Sequence, residues 1–347
     1  MSLLAKTFLL NLRATYPSEL DRDELRITQN GLLMATMEMT KSASGIISPE
    51  ILAKAEISQG RKLEIPVMKK GTVTISNVRT CSFSGGESES DIIDVTWKTI
   101  VANITMFPSE YEKNEVSKLF DFNKKVRELV EAFTIEIEND IDATFDAEKT
   151  TVYGSQIVGV DYTLTGNAIQ VPVTQQQFFF NDLDAINFAD DFNNPTMRIV
   201  ASHSVMPVVS RFINQGGSNA ENSAFQFAGK NFTFSNRITV GAGKKGTGYF
   251  MPDGSIGLLT REDVDARMNA KSTDGMTWFV DNLPGLPFPV GIKYYSGCAD
   301  KSGEEGLEHL GATLVENWQI SVDYGILTAY NSNPARPTAI RKFEFVP

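Results

Sequence analysis

Apolar residues recur at steps of three and four through the middle of the chain, as Val116, Leu119, Phe120, Val126, Leu129, Val130, Phe133, Ile137, Ile141 and Phe145. That spacing puts them on one face of a helix, while Glu112, Lys113, Lys118, Lys124, Lys125, Glu128, Glu131 and Glu138 fall mostly elsewhere. Ser109 with Glu112 three residues on, directly after Pro108, forms a capping box. The pattern predicts one helix from Ser109 to Ala147, roughly 60 Å long.

Ahead of this helix the period falls to two. Thr72–Phe83 and Ile92–Phe107 read as long strands separated by the polar stretch Ser84–Asp91, with a shorter run Leu63–Val67 before them. The expectation is a long β-hairpin with a polar tip. In its second run Ile93, Val95 and Trp97 alternate, and then Ile100, Ala102, Ile104 and Met106 take the opposite parity, which predicts a twist or bulge near Thr99. A two-stranded ribbon is marginal alone in water, so something must cover it. Residues 1–55 read as an extended arm with small helices, the last of them running from Pro49 through Ile51, Leu52 and Ala55.

Beyond the long helix, short strands and helices alternate. Helices are expected around Gln176–Asp191 and Val205–Gln215, and a strand at Met197–Ala201. A strand pair is expected around Phe232–Val240 and Gly248–Leu259, turned by Pro252-Asp253-Gly254, then a short helix after Thr260, capped with Asp263 three residues later. Ala312–Leu327 and Ala339–Val346 are the last strands. Without regular βαβ repetition, the fold class is α+β.

Composition narrows the functional classes. With 41% hydrophobic and 22% charged residues in 347, the chain can bury a sizeable core. Asp and Glu outnumber Lys and Arg by 43 to 32, and a net charge of -11 argues against a dedicated nucleic-acid reader, because phosphate is repelled. The same charge suits a protein that stays soluble at high concentration before assembling, or that encloses DNA without gripping it. Cys81 and Cys298 are too few for a disulfide framework and fit a reducing compartment. Leu3, Leu4, Phe8, Leu9, Leu10 and Leu12 are interrupted by Lys6 and Arg13, which reads as an amphipathic arm and not a signal peptide. Apolar runs are too short to predict a membrane span.

Candidate chemistry is sparse. Gly241-Ala242-Gly243-Lys244-Lys245-Gly246 matches a dinucleotide-binding glycine pattern, but Thr247–Gly254 reads as strand and turn where that motif requires a helix. Ser202-His203-Ser204 does not make a triad from adjacent residues, and Gly216-Gly217-Ser218-Asn219-Ala220 lacks the last glycine of a nucleophile elbow. His203 and His309, far apart, give no zinc spacing, and Asp190-Asp191 and Glu304-Glu305 read as solvated surface. No catalytic, cofactor-binding or metal residue is expected. The basic doublets Lys69-Lys70 and Lys244-Lys245, with Arg336, Arg341 and Lys342, read either as plain solvated charge or as inter-subunit ion pairs.

The order of these regions resembles the Hong Kong 97-type major capsid proteins of tailed bacteriophages. The local wording Ile199-Val200-Ala201-Ser202-His203 leading into a helix, Asn236-Arg237-Ile238 closing a strand, and Leu310–Tyr330 as a long returning strand is similar to that family. The resemblance implies an N-terminal arm (1–55), an extended loop lying across a neighbouring subunit (56–108), a peripheral domain on the spine helix (109–200 with 310–347) and an axial domain (201–309). It implies a self-assembling shell subunit, in pentamers and hexamers of an icosahedral-type head, enclosing double-stranded DNA without sequence-specific contacts. Scaffolding, portal and decoration proteins are the further partners it implies; with no long helical, charge-rich extension before the arm, either scaffolding is a separate protein or the chain is a processed form, and Met1 favours the former. The implied location is the virion, after assembly in the bacterial host cytoplasm, with no cofactor and no membrane. An encapsulin-like nanocompartment shell is the alternative within the fold; an enzyme of unfamiliar α+β type is the alternative outside it.

Overall fold

A computed structural model describes residues 31–42, 47–58, 60, 62–68, 90–111, 118–149, 162–176, 178–189, 196–216, 224–227, 230–300, 303, 311–328 and 340–347. In chain order the elements begin with α1 (Gly31–Lys41), α2 (Pro49–Ile57), β1 (Lys62–Met68), β2 (Ser90–Thr96), β3 (Lys98–Met106) and α3 (Lys118–Glu148). Next come β4 (Thr163–Thr165), β5 (Ala168–Val171), α4 (Phe179–Ala189), β6 (Met197–Ser202), α5 (Met206–Gly216), β7 (Ala224–Phe227), β8 (Lys230–Ser235) and β9 (Gly246–Pro252). The chain closes with β10 (Ile256–Arg261), α6 (Val264–Arg267), β11 (Thr277–Asp281), β12 (Val290–Asp300), β13 (Ala312–Thr328) and β14 (Arg341–Phe345). The architecture is α+β.

The apolar stripe read from the sequence is the buried face of α3: Val126, Ile137, Ile141 and Phe145 are fully enclosed. Its 31 residues span about 46 Å. The expected start at Ser109 is corrected. Pro108–Tyr111 is a 3-10 turn, and the Ser109 hydroxyl lies 2.6 Å from Thr313 Oγ1 on β13. The returning strand thus takes up the hydroxyl that the capping box would use. Glu112, Lys113 and Val116 lie outside the described residues.

Two larger sheets flank this helix. In one, β13 pairs along one edge with β3 and along the other with β12 and then β10, while β11 lies outside β12, all antiparallel. The seven-stranded sheet runs β4-β5-β14-β9-β6-β8-β7, with parallel pairs β5–β14 and β6–β8. One half of α3 meets the first sheet, where the Phe122 and Trp318 rings lie 5.0 Å apart. The other half meets the second, where Phe145 stacks on Tyr249 at 5.1 Å. The helix is a strut shared by both sheets. The seven-stranded sheet buries its other face under α4, with Phe179 and Phe180 packed among Phe232, Phe343 and Phe345.

Several expectations change. The segment α1 is not part of an extended arm: Leu32, Leu33 and Met39 are fully buried in the central core. The expected strand pair Phe232–Val240 and Gly248–Leu259 does not form. Instead β8 and β9 flank β6 on opposite sides, and the turn at Pro252–Ser255, with Gly254 at φ 86°, passes the chain from β9 into the other sheet as β10. The parity change falls at Trp97, not Thr99, because β2 pairs with β1 while β3 pairs with β13. The hairpin described is β1 with β2; the expected strand at 72–83 and residues 84–89 of the expected tip lie outside the described residues. Sheet membership also crosses the expected boundaries at 200/201 and 309/310: β8 and β9 lie in the seven-stranded sheet, whereas β10, β11 and β12 lie in the other.

Candidate assembly surface

The chemical motifs of the sequence have local structural roles. Residues 241–246 form a turn, with Gly243 at φ 76°, that leads into β9 and not into a helix. Lys244 pairs with Glu344 at 3.2 Å and hydrogen-bonds Gln170 Oε1; Lys342 pairs with Asp146 at 2.8 Å and with Glu344 at 3.3 Å. Burial works against the Glu344 charge, but hydrogen bonds from Gln170 and Lys244 and the charge of Lys342 prevail and hold its carboxyl below its ordinary range. Lys244 and Lys342 therefore serve pairs within the chain, which corrects their reading as plain solvated charge, and Arg341 is buried near the Phe250 ring. Because Lys342 remains beside Glu344, Lys244→Met should cost no more than about 1 kcal/mol, checked by urea unfolding. Lys69, Lys70 and Arg336 lie outside the described residues.

Ser202 Oγ lies 2.7 Å from Ser204 Oγ and accepts the Thr247 N–H at 3.2 Å, so it ties β6 to β9; His203 between them is exposed. His309, Cys81, Asp190, Asp191, Glu304, Glu305 and residues 217–220 lie outside the described residues. Cys298 is an exposed thiol on β12. Among the described residues no group of three or more His, Cys, Asp or Glu is placed to hold a metal, and no helix is long and apolar enough to cross a membrane.

The hairpin is the feature that stands apart from the two sheets. Its register pairs Leu63 with Val95 and Ile65 with Ile93, so these four point to one side, while Glu64, Asp94, Pro66 and Ile92 point to the other. The first set packs on Ile47, Ala55 of α2, Leu259 of β10 and Leu327 of β13. That contact lies on the face of the sheet opposite α3, because along β13 Trp318, Ile320 and Val322 face the helix-side core and Leu327 falls on the other parity. The second set is exposed: Ile92 keeps 59% of its surface, and Lys62 reaches over to Asp94 at 2.9 Å.

One arginine fixes the root. Arg261, at the end of β10, is buried with its guanidinium 4.4 Å from the Trp97 ring centroid, at the point where β2 becomes β3. Its Nε donates to Asp323 of β13 at 2.9 Å, and Nη1 donates to the carbonyls of Ser58 and Gly60, both at 2.8 Å. A planar fork is suited to several acceptors and one ring face at once, which lysine is not. The residue thereby joins the sheet, the end of α2 and the strand crossover. Sequence reasoning gave no sign of it. Its partners stand up to 203 positions away, and no local spacing marks them.

No protein-family model matches the sequence, and no curated protein matches it. Among solved structures the chain is similar to a protein of Mycobacterium phage Che8 (9% identity, TM-score 0.48, covering 86% of this chain and 88% of that one). It is also similar to the capsid of cyanophage P-SCSP1u (11% identity, TM-score 0.47, 84% of each chain). A third similar structure is the holo-SrpI encapsulin complex of Synechococcus elongatus (10% identity, TM-score 0.42, 86% of this chain and 88% of that one).

Proposed function

We propose that this chain is a major capsid protein, the self-assembling structural subunit of an icosahedral-type phage head enclosing double-stranded DNA. The observation that carries the reading is the pinned hairpin: a two-stranded ribbon with one face seated on the body and the other exposed, apolar Ile92 included. Such a ribbon gains stability from a further surface laid against it, and a neighbouring copy supplies one. The chain order of hairpin, strut helix and returning strand β13 supports this reading. Within this reading residues 201–309 are the axial domain and residues 109–200 with 310–347 the peripheral domain, and both larger sheets draw strands from each. Scaffolding, portal and decoration proteins would be the other partners. The virion is the location, after assembly in the host cytoplasm.

Each contact between copies is weak, and closed symmetry multiplies it. No step of this function needs a catalytic residue. The net charge of -11 fits a wall that lets packaged DNA slide. Electron microscopy of the purified chain should show capsomers or closed shells, and native particles should hold nuclease-protected DNA. A monodisperse monomer at every concentration and salt would overturn the shell reading. Particles holding a co-purifying enzyme without DNA would assign the chain to a nanocompartment instead.

A further inference from the structure

We propose that the sheet face turned away from α3, in the part that the hairpin leaves open, binds neutral saccharides. This inference goes beyond the shell reading and does not depend on it. The face is built in transverse rows. Asn103 of β3, Gln319 of β13 and Lys293 of β12 stand in register, and beside them Thr105, Asn317 and Tyr295 do the same. These six side chains line an open groove of about 360 Å³. At its far side α6 closes on the same face, where Ala266 Cβ lies near Gly291.

Tyr295 is held in an unusual way for a strand residue. Gly297, two positions along on the same side of β12, has no side chain, and the tyrosine ring lies in the space; a Cβ there would come within 2.7 Å of Tyr295 Cε1. The ring is therefore laid over its own strand, not stood up from the sheet. An aromatic ring in that pose offers a flat π-face, which attracts the polarised C–H groups on one side of a sugar ring.

Hydroxyl recognition needs donors and acceptors with fixed directions, and the neighbouring amides are fixed. Gln319 Nε2 donates to Asn103 Oδ1 at 3.0 Å, and Thr105 Oγ1 donates to Asn317 Oδ1 at 2.8 Å. By the hydrogen-bonding inventory, these bonds leave the amino groups of both asparagines and the Gln319 carbonyl as further capacity beside the tyrosine. The charge balance selects the ligand class. Among the described residues no carboxylate lines the groove, so a cationic peptide finds no partner. The cation that lines it, Lys293, already lies 5.4 Å from the Trp278 ring centroid, and a chain of net charge -11 repels polyanions. A neutral polyhydroxylated ring matches what remains.

The test titrates cellotetraose, maltotetraose and chitotetraose into the purified full chain, followed by calorimetry and by NMR of the Tyr295 and Asn317 signals. At least one should bind with a dissociation constant below about 10 mM. Tyr295→Ala should weaken it by about tenfold or more, with thermal unfolding unchanged. Gly297→Ala keeps the tyrosine but pushes its ring off the strand, and should weaken binding to a similar degree. The proposal is overturned by no response to any of the three sugars, or by binding that both variants leave intact. It is equally overturned if Tyr295→Ala alters only self-association in sedimentation, which would assign the face to a second copy of the chain.

Discussion

Arg261→Met should release the hairpin while the rest of the subunit stays folded. The substitution keeps an apolar side chain of similar length but removes the ion pair with Asp323, the donors to Ser58 and Gly60, and the cation over Trp97. Asp323 retains the hydroxyl of Thr99 at 2.6 Å, but the carbonyls of Ser58 and Gly60 lose a charged donor. Asp323 keeps 20% of its side chain exposed, so the cost should fall below the ~3–5 kcal/mol of breaking a fully buried pair. The loss should be local: amide exchange should quicken across Lys62–Met68 and Ser90–Thr96, with protection along α3 retained, and shells should fail to close. Arg261→Lys should recover only part of the effect, because an ammonium does not reach three acceptors and a ring face together. If exchange in the two hairpin strands is unchanged in Arg261→Met, then Leu63, Ile65 and Val95 hold the hairpin by apolar contact alone.

The second large effect is expected at Glu138, one of two acids on the buried face of α3. Its Oε1 accepts the N–H groups of Leu32 at 2.9 Å and Leu33 at 3.0 Å, the first turn of α1. Backbone N–H groups that open a helix need an acceptor from outside it. Glu138→Leu would leave both buried without an acceptor, at about 1–3 kcal/mol for each. Glu138→Gln keeps an acceptor oxygen and should separate this role from charge. Burial pushes the Glu138 carboxyl above its ordinary value, against the opposing pull of the Leu33 and Leu32 N–H groups and the Arg237 charge.

A raised carboxyl binds its proton more readily in the folded than in the unfolded chain. Its contribution to stability is therefore full below the unfolded value and is lost as pH rises through the folded value. Asp142, one turn along and facing Thr239, Lys342 and Asp146, is raised by burial in the same sense, whereas Asp146 beside Lys342 and Lys149 is lowered. Comparison with Glu138→Gln cancels those neighbours. The stability of the Gln variant relative to the natural chain should increase in urea unfolding as pH rises above 4.5, the ordinary value of a Glu carboxyl. A flat difference would mean that the Leu32 and Leu33 bonds and Arg237 fully offset the burial of the charge.

Chain-local order was readable because it is written at short range. The stripe from Val126 to Phe145 repeats at the period of a helix, and the helix forms there; Phe179–Ala189, Met197–Ser202 and Ala312–Thr328 follow the expected runs for the same reason. The alternation of Ile93, Val95 and Trp97 announced a strand and its parity change announced a break. The pattern carried no record of what lay on either side. That β3 leaves the hairpin and joins β13 follows from pairing partners more than 200 positions apart, such as Thr99 with Asp323. The burial of α1 likewise depends on Glu138, over 100 positions away, and looked like part of a loose arm without it. The Arg261 pin and the Tyr295 platform were beyond reading for a further reason. An arginine on a strand end and a Tyr-x-Gly on a strand are unremarked locally, and only the neighbouring strands turn one into a clasp and the other into a surface. Periodicity fixes which face of an element is apolar, whereas the choice of what that face meets belongs to the packed whole.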